Sequence, residues 1–375
     1  MSKNNKICIL TSAHSAFDIR IFQKESKSLA KAGYKVTMIA QNNKNETVDG
    51  VRIISLPKAK NRIHRMISLT WKAFWLALKE KAEIYHFHDP ELIPIGILLK
   101  LRGKKIIYDV HEDYSLAIKS RYWIPLSVRK LVAVLFKSIE NFSAMYFSGV
   151  VPATPAIAKR FRSLNRNTVI VQNFPIIDEF SLKKDGVSWD DRTNAVAYIG
   201  GIDLLRGIKE MVEAIRLTQE VIEAKLILAG NFSPESLKED IKNMEGWKNV
   251  GYRGFLCTEE VVNIMEQVKA GLVLFYPEPN HIQAQPNKLF EYMSAGIPVI
   301  ASDFPLWRQI VEEAGCGLLV DPLDPKAISE AIIYILEHPK EAEAVGNRGR
   351  KAIEEQYNWY KEEKKLLCLY ERLLE

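Results

Sequence analysis

Short apolar runs alternate with longer segments of helical spacing through the whole chain. In the first half, residues 6–11, 34–40, 51–56, 84–88, 105–110, 145–151 and 169–172 read as strands. Continuous apolar runs of that length suit parallel strands buried on both faces. Residues 22–32 carry helical spacing and stop at Gly33, and residues 127–142 read as a second helix. The polar stretch 181–192, through Lys183, Lys184, Asp185 and Gly186, predicts an interdomain linker. The rhythm then restarts, with strands expected over 195–199, 225–229, 250–252, 271–276, 298–301 and 317–320. Helices are expected over 208–217, 259–268, 286–295, 305–313 and 325–337, followed by a charged amphipathic helix over 359–374. Strands alternating with helices of this length predict parallel sheets of βαβ units. The expected fold class is therefore α/β, with two Rossmann-like, doubly wound parallel-sheet domains facing a cleft. Ligands should bind outside the carboxyl ends of the strands. The expected divisions are an N-terminal domain over 1–178, a C-terminal domain over 179–356 and a helix over 357–375 packing back on the first domain.

Composition narrows the class. A chain of 375 residues is long for a single core. Its 47% hydrophobic and 26% charged residues describe an ordinary globular protein. No run of about 20 apolar residues occurs, and no terminal stretch reads as a secretion signal. Cys8, Cys257, Cys316 and Cys368 are scattered, as in a reducing compartment, so a cytoplasmic protein is expected. The net charge of +6 is modest, but its placement is uneven. Lys58, Lys60, Arg62, Arg65, Lys72, Lys79 and Lys81 are interleaved with Trp71, Phe74 and Trp75. Arg121, Arg129 and Lys130 accompany Tyr122, Trp123 and Phe136. Basic residues beside aromatics fit an anionic bilayer surface, and equally a solvated helix face whose aromatics join the core. Nucleic acid is not an expected partner.

The candidate chemistry concentrates in the second half. In NHIQAQPNKLFEYMSAGIPVIAS, residues 280–302, Pro286 stands where a helix should begin. The amide groups and positive dipole end at 286–288 would favour an anion. Lys288 adds a full charge there, which is poor for the helix and good for a bound diphosphate. Glu291, three residues on, shares its face and could accept both hydroxyls of a ribose. A second loop, Tyr198-Ile199-Gly200-Gly201 followed by Arg206-Gly207, lets backbone approach a phosphate closely. In the first half, His86 and His88 alternate along a strand and so share a face, and His111 ends the next strand in YDVHED. His14, Asp18 and Arg20 occupy the first strand-to-helix loop. The absence of G-x-G-x-x-G after any strand argues against a nicotinamide dehydrogenase.

These motifs resemble the family-4 retaining glycosyltransferases of the GT-B fold, across most of the chain and best over 195–322. The resemblance implies transfer of a sugar from a nucleoside diphosphate sugar (UDP- or GDP-linked) to a hydroxyl of a glycan or lipid-linked acceptor in envelope or polysaccharide assembly. It implies no cofactor and no metal. Glu291 matches the family's ribose-binding glutamate. Gln283 falls where the family has a second glutamate facing the donor sugar. Arg206 and Lys288, with Gly200 and Gly201, match the diphosphate site, and Gly201 stands where the family usually has an arginine. Gly254 and Phe255 match the loop that frames the base. His111 matches a histidine beside the donor sugar, Asp18 joins it as a catalytic candidate, and Arg20 and His88 are expected on the acceptor side. Three other readings remain open on the residues: a nucleotide-sugar epimerase, a metal-dependent hydrolase using His86, His88 and His111, and a non-catalytic binding protein.

Overall fold

A computed structural model of the protein describes residues 4–120, 124–177, 180 and 187–375. Arg121, Tyr122 and Trp123, and residues 181–186 of the expected linker, lie outside the described residues. The chain divides into two compact units, residues 1–173 with 359–375 and residues 174–358.

The first unit is built on a seven-stranded sheet. Its strands are β1 (Lys6–Ser15), β2 (Lys35–Gln41), β3 (Glu46–Val48), β4 (Val51–Leu56), β5 (Ile84–Phe87), β6 (Lys105–Val110) and β7 (Gly149–Pro152). Their order is β3-β4-β2-β1-β5-β6-β7, parallel throughout except for the antiparallel edge pair β3–β4. Strand parity decides which core each side chain joins. Cys8 and Leu10 of β1, Tyr85 and Phe87 of β5, and Ile106 and Tyr108 of β6 enter one cluster with Phe74, Ile95, Leu99 and Ala144 of the covering helices. Ile7, Ile9, Ile84 and Ile107 enter the opposite cluster, with Ile21, Phe22 and Leu29. The Trp359–Leu374 helix supplies Trp359, Leu366, Leu369 and Tyr370 to that second cluster. It is also tied there by bonds from Trp359 Nε1 to Ser28 Oγ (2.9 Å) and from the Gln172 amide to Glu362 (2.9 Å).

The second unit has a six-stranded parallel sheet: β8 (Ala195–Ile199), β9 (Lys225–Ala229), β10 (Val250–Gly254), β11 (Ala270–Val273), β12 (Val299–Ser302) and β13 (Gly317–Val320). The order β10-β9-β8-β11-β12-β13 is a doubly wound arrangement. Tyr292, fully buried, anchors the Asn287–Ser294 helix to this sheet. Its hydroxyl accepts from the Ile199 amide (3.1 Å) and donates to the Ala197 carbonyl (3.2 Å). Its ring fills the space above Gly271, where an added Cβ would stand 2.3 Å from it.

Several local expectations change. Residues 169–172 form no strand; they run beside β7, linked by two backbone bonds from Val169 and Val171. The 22–32 helix begins earlier and is wider at its start, a π-helical Ile19–Ser26 continuing into Lys27–Lys31. The earlier start is set locally, where the Asp18 carboxylate caps the Arg20 and Ile21 amides. Met145 belongs to the long Leu126–Tyr146 helix, not to the strand after it. Pro286 is the cap of its helix, in extended conformation, and Asn287 is the first helical residue.

Candidate functional site

In the second unit the ends of β8, β9 and β10 bring three glycine-containing turns together. The Gly200 amide donates to the Ala229 carbonyl (2.8 Å), the Gly230 amide to the Gly254 carbonyl (2.7 Å) and the Ile202 amide to the Asn231 carbonyl (2.9 Å). Two of these positions demand glycine. Gly230 has φ +136°, and a Cβ there would lie 1.9 Å from the Gly200 carbonyl oxygen. Gly200 has φ +133°, and its Cβ would lie 2.3 Å from Lys288 Nζ. The lysine of the Asn287–Ser294 helix therefore lies directly on the bare backbone of the β8 loop.

Arg206 reaches the same loop. Its Nη1 donates to the Gly201 carbonyl (3.2 Å), its Nε pairs with Asp203 (3.1 Å), and the guanidinium lies 5.4 Å from the centre of the Phe275 ring. Tyr198 forms the floor, with its hydroxyl bonded to the Gly201 carbonyl (2.6 Å) and its ring 5.1 Å from Lys288 Nζ. Burial, reinforced by the Arg206 charge, pushes the Lys288 ammonium down to about 8, while Glu291 and Asp203 oppose the shift. Two cations are held at one glycine turn, the arginine paired with Asp203. Gly200, Gly201, Arg206, Lys288 and Glu291 are thus gathered around one turn and one helix. Gly254 joins through its carbonyl, and Phe255 beside it is 77% exposed. Gln283 is exposed at the end of the short Pro279–Gln283 helix. Trp307 Nε1 holds the following turn by a bond to the Ala284 carbonyl (2.7 Å).

The first unit carries a separate polar assembly at the ends of β1, β5 and β6. Parity places His86, His88 and Asp109 on the face covered by the Ile19–Ser26 helix, which brings Arg20 and Glu25 over them. Arg20 donates to both oxygens of Asp109 (Nε 3.2 Å, Nη2 2.8 Å) and to the Val171 carbonyl (2.9 Å), and its Nε lies 3.0 Å from Glu25. His111 Nε2 stands 3.2 Å from Asp109 Oδ1 and 3.2 Å from His88 Nδ1. His86 Nδ1 meets the Tyr370 hydroxyl at 2.8 Å. Nearer the surface, His14 bonds Asp18 (3.1 Å) and its ring lies 5.4 Å from that of His111.

Arg20 and His88, expected on the acceptor side, are both buried, and Arg20 is committed to two carboxylates. Asp18 spends its carboxylate on the helix cap and on His14, while His111 keeps 19% of its side chain exposed. Glu25, Asp109 and Tyr370 are the members that sequence reasoning did not assign. Asp109 lay within the YDVHED motif, but Glu25 and Tyr370 carry no motif.

Electrostatically, two buried carboxyls share one guanidinium. Burial alone would raise Asp109, but Arg20, with bonds from His111 and His86, holds it well below the usual carboxylate range. Burial first, and then the Asp109 charge, push Glu25 well above that range. Burial pushes His86 down and His88 further, the neighbouring imidazole adding to the effect on His88. Ligand atoms of Glu25, His86, His88 and Asp109 lie within 4.8 Å of one another, a donor set a transition metal could use. Arg20 already occupies that position electrostatically, however, and a dication there would face a fixed cation. The set suits a shared proton better than a metal ion.

Comparison with known proteins agrees with this architecture. Residues 22–174 match the family described as Glycosyltransferase Family 4, and residues 180–352 match Glycosyl transferases group 1. An uncharacterized glycosyltransferase of Methanocaldococcus jannaschii is 23% identical over 202 residues, 50% of either chain. The present chain thus spans about half the length of that relative. The phosphatidyl-myo-inositol mannosyltransferase of Mycobacterium tuberculosis is 21% identical over 309 residues, 79% of this chain and 75% of the relative. The Anabaena protein HepE, solved in complex with UDP-glucose, superposes with a TM-score of 0.70 at 13% identity, covering 98% of this chain and 99% of that one, which shows the fold. With two matched regions that together cover most of the sequence and a shared two-sheet architecture, the chain belongs to the family-4 glycosyltransferases of the GT-B fold.

Proposed function

We propose that the protein transfers a sugar from a nucleoside diphosphate sugar to a hydroxyl of a glycan or lipid-linked acceptor, with retention at the anomeric carbon and without a resident metal. The observation that carries this reading is Lys288 lying on the Gly200 backbone beside Arg206. In the proposal the diphosphate rests on the Gly200–Gly201 turn, and the two cations stabilise the negative charge that develops as it leaves. Glu291 takes the ribose, and the Gly254–Phe255 turn frames the base. Gln283 hydrogen-bonds the donor sugar, and His111 faces the attacking hydroxyl. HepE binds UDP-glucose by its own description, which supports the donor class. Which base and sugar this chain takes is decided by a thermal-shift screen against UDP-, GDP- and ADP-sugars. One donor should raise the melting temperature, and Lys288→Ala should abolish that rise. No response to any of the three would refute the reading.

The acceptor side supports an anionic membrane surface. The Leu126–Tyr146 helix exposes Leu131, Leu135, Ile139, Phe142 and Met145 alongside Lys130 and Lys137. Trp71 and Trp75, on a second helix packed on the same face of the sheet, are each about half exposed. Apolar side chains flanked by cations suit anionic headgroups. Among the described residues no helix is long and apolar enough to cross a membrane. Sedimentation with phosphatidylglycerol vesicles should capture the protein, and Phe142→Glu should release it. Equal binding to neutral phosphatidylcholine vesicles would refute the charge argument.

A further inference from the structure

At the amino ends of β6 and β7, the opposite end of the sheet from His111, the first unit has a cavity of about 990 Å³. Lys100, Lys105, Arg166 and Arg372 line it, and no acidic side chain among the described residues does. None of these four cations is ion-paired among the described residues. Lys105 Nζ donates to the Leu373 carbonyl, and Lys100 Nζ donates to Ser148 Oγ (3.1 Å). The exposed Arg166 and Arg372 guanidiniums make no hydrogen bond among the described residues. Ser148 Oγ also accepts from the Ile106 amide (3.0 Å), which uses both lone pairs and leaves its hydroxyl hydrogen to donate. A concave wall carrying charge of one sign concentrates counter-ions. The rest of the wall is apolar, with Met145, Phe147 and Leu164. Met145 also continues the exposed stripe of Leu135, Ile139 and Phe142, at spacings that share a helix face.

We propose that this cavity binds a phosphate ester, separately from the proposed donor site in the second unit. Arg166, Arg372 and Lys100 hold the phosphate oxygens, the guanidiniums through paired N–H groups that match them. Ser148 donates its hydroxyl hydrogen to the same group, and Met145, Phe147 and Leu164 receive the carbon portion of the ester. Burial already lowers the Lys100 ammonium from its usual range, and an anion beside it offsets that cost. A phospholipid headgroup and a small soluble phosphate ester share this chemistry. Met145 favours the headgroup, because it joins the cavity to the face read above as seated on a membrane. That preference, unlike the phosphate site, rests on the membrane reading.

The proposed donor site would also take phosphate, so the test uses the full chain carrying Lys288→Met. Isothermal titration with glycerol 3-phosphate at fixed ionic strength should show saturable binding. Arg166→Gln together with Arg372→Gln, both at exposed positions, should weaken it about tenfold or more. Lys31→Gln with Lys35→Gln removes the same charge from other exposed positions and should leave binding unchanged. Phosphatidylglycerol vesicles separate the two sources. For a headgroup, the arginine pair should also weaken vesicle sedimentation, and glycerol 3-phosphate should compete with the vesicles. Phe142→Glu should then lose the vesicles and keep glycerol 3-phosphate. Vesicle binding indifferent to the arginine pair, with glycerol 3-phosphate binding dependent on it, assigns the cavity to a soluble ester. The proposal is overturned if neither ligand responds to the arginine pair, or if the lysine control weakens binding equally. Loss of vesicle binding alone would refute the membrane reading and leave the phosphate site standing.

Discussion

Binding of the donor should depend on pH through one lysine. Lys288 is held at about 8 in the ligand-free protein, by burial and by Arg206. A diphosphate placed against it restores its proton affinity, so binding above that pH must take up a proton. The sign follows directly. Below about pH 7 the lysine is charged in both states and its contribution is flat. As pH rises through 8 the free protein loses the proton that the complex keeps, and affinity falls. At pH 9 about one free molecule in ten carries the charged lysine, so the dissociation constant should be roughly tenfold higher than at pH 7, or about 1.4 kcal/mol. Isothermal titration calorimetry with the donor found in the screen, at pH 7, 8 and 9 in buffers of different ionisation enthalpy, measures both the affinity and the proton uptake. A diphosphate diester stays ionised over this range, and Lys288→Met should bind weakly with no pH dependence. A wild-type constant that does not change between pH 7 and 9, or an equal slope in Lys288→Met, would refute the reasoning.

Three further outcomes follow from the same geometry. Without ligand, Lys288→Met should melt higher than the wild type at pH 7, because a lysine whose affinity for its proton is lowered by folding costs stability wherever it is charged; calorimetry of the ligand-free proteins checks this. Tyr292→Phe leaves the buried Ile199 amide without its partner and should cost about 1–3 kcal/mol in denaturant unfolding, weakening donor binding as the Lys288 helix loosens. Gly230→Ala drives a Cβ into the Gly200 carbonyl at a backbone angle that side chains avoid, so it should cost about 2–5 kcal/mol and abolish the donor-dependent thermal shift.

The strands were legible because parallel strands buried on both faces are apolar throughout, and a run such as Val196–Ile199 has few other uses. The cluster proposed to hold the diphosphate was legible because its parts are local: two glycines and an arginine in one loop, and a lysine and glutamate three apart on one helix turn. The first-unit assembly was only half legible. The shared face of His86 and His88 follows from strand period, but Arg20 and Asp109 are 89 residues apart, and His86 and Tyr370 are 284 apart. No local pattern announces that an arginine at a helix start will be drawn inward by a carboxylate on a distant strand. Residues 169–172 misled for a related reason, since an apolar run beside an edge strand looks like a strand without completing a ladder. Pro286 was displaced by one position, within the usual spread of helix boundaries.

A crystal structure of the protein soaked with its nucleoside diphosphate sugar tests the central claim most directly. The diphosphate should lie within hydrogen-bond reach of Lys288 Nζ and the Arg206 guanidinium, on the Gly200–Gly201 turn, with the ribose at Glu291. A nucleotide bound elsewhere, or one seated there with both cations turned away from its phosphates, would contradict the account.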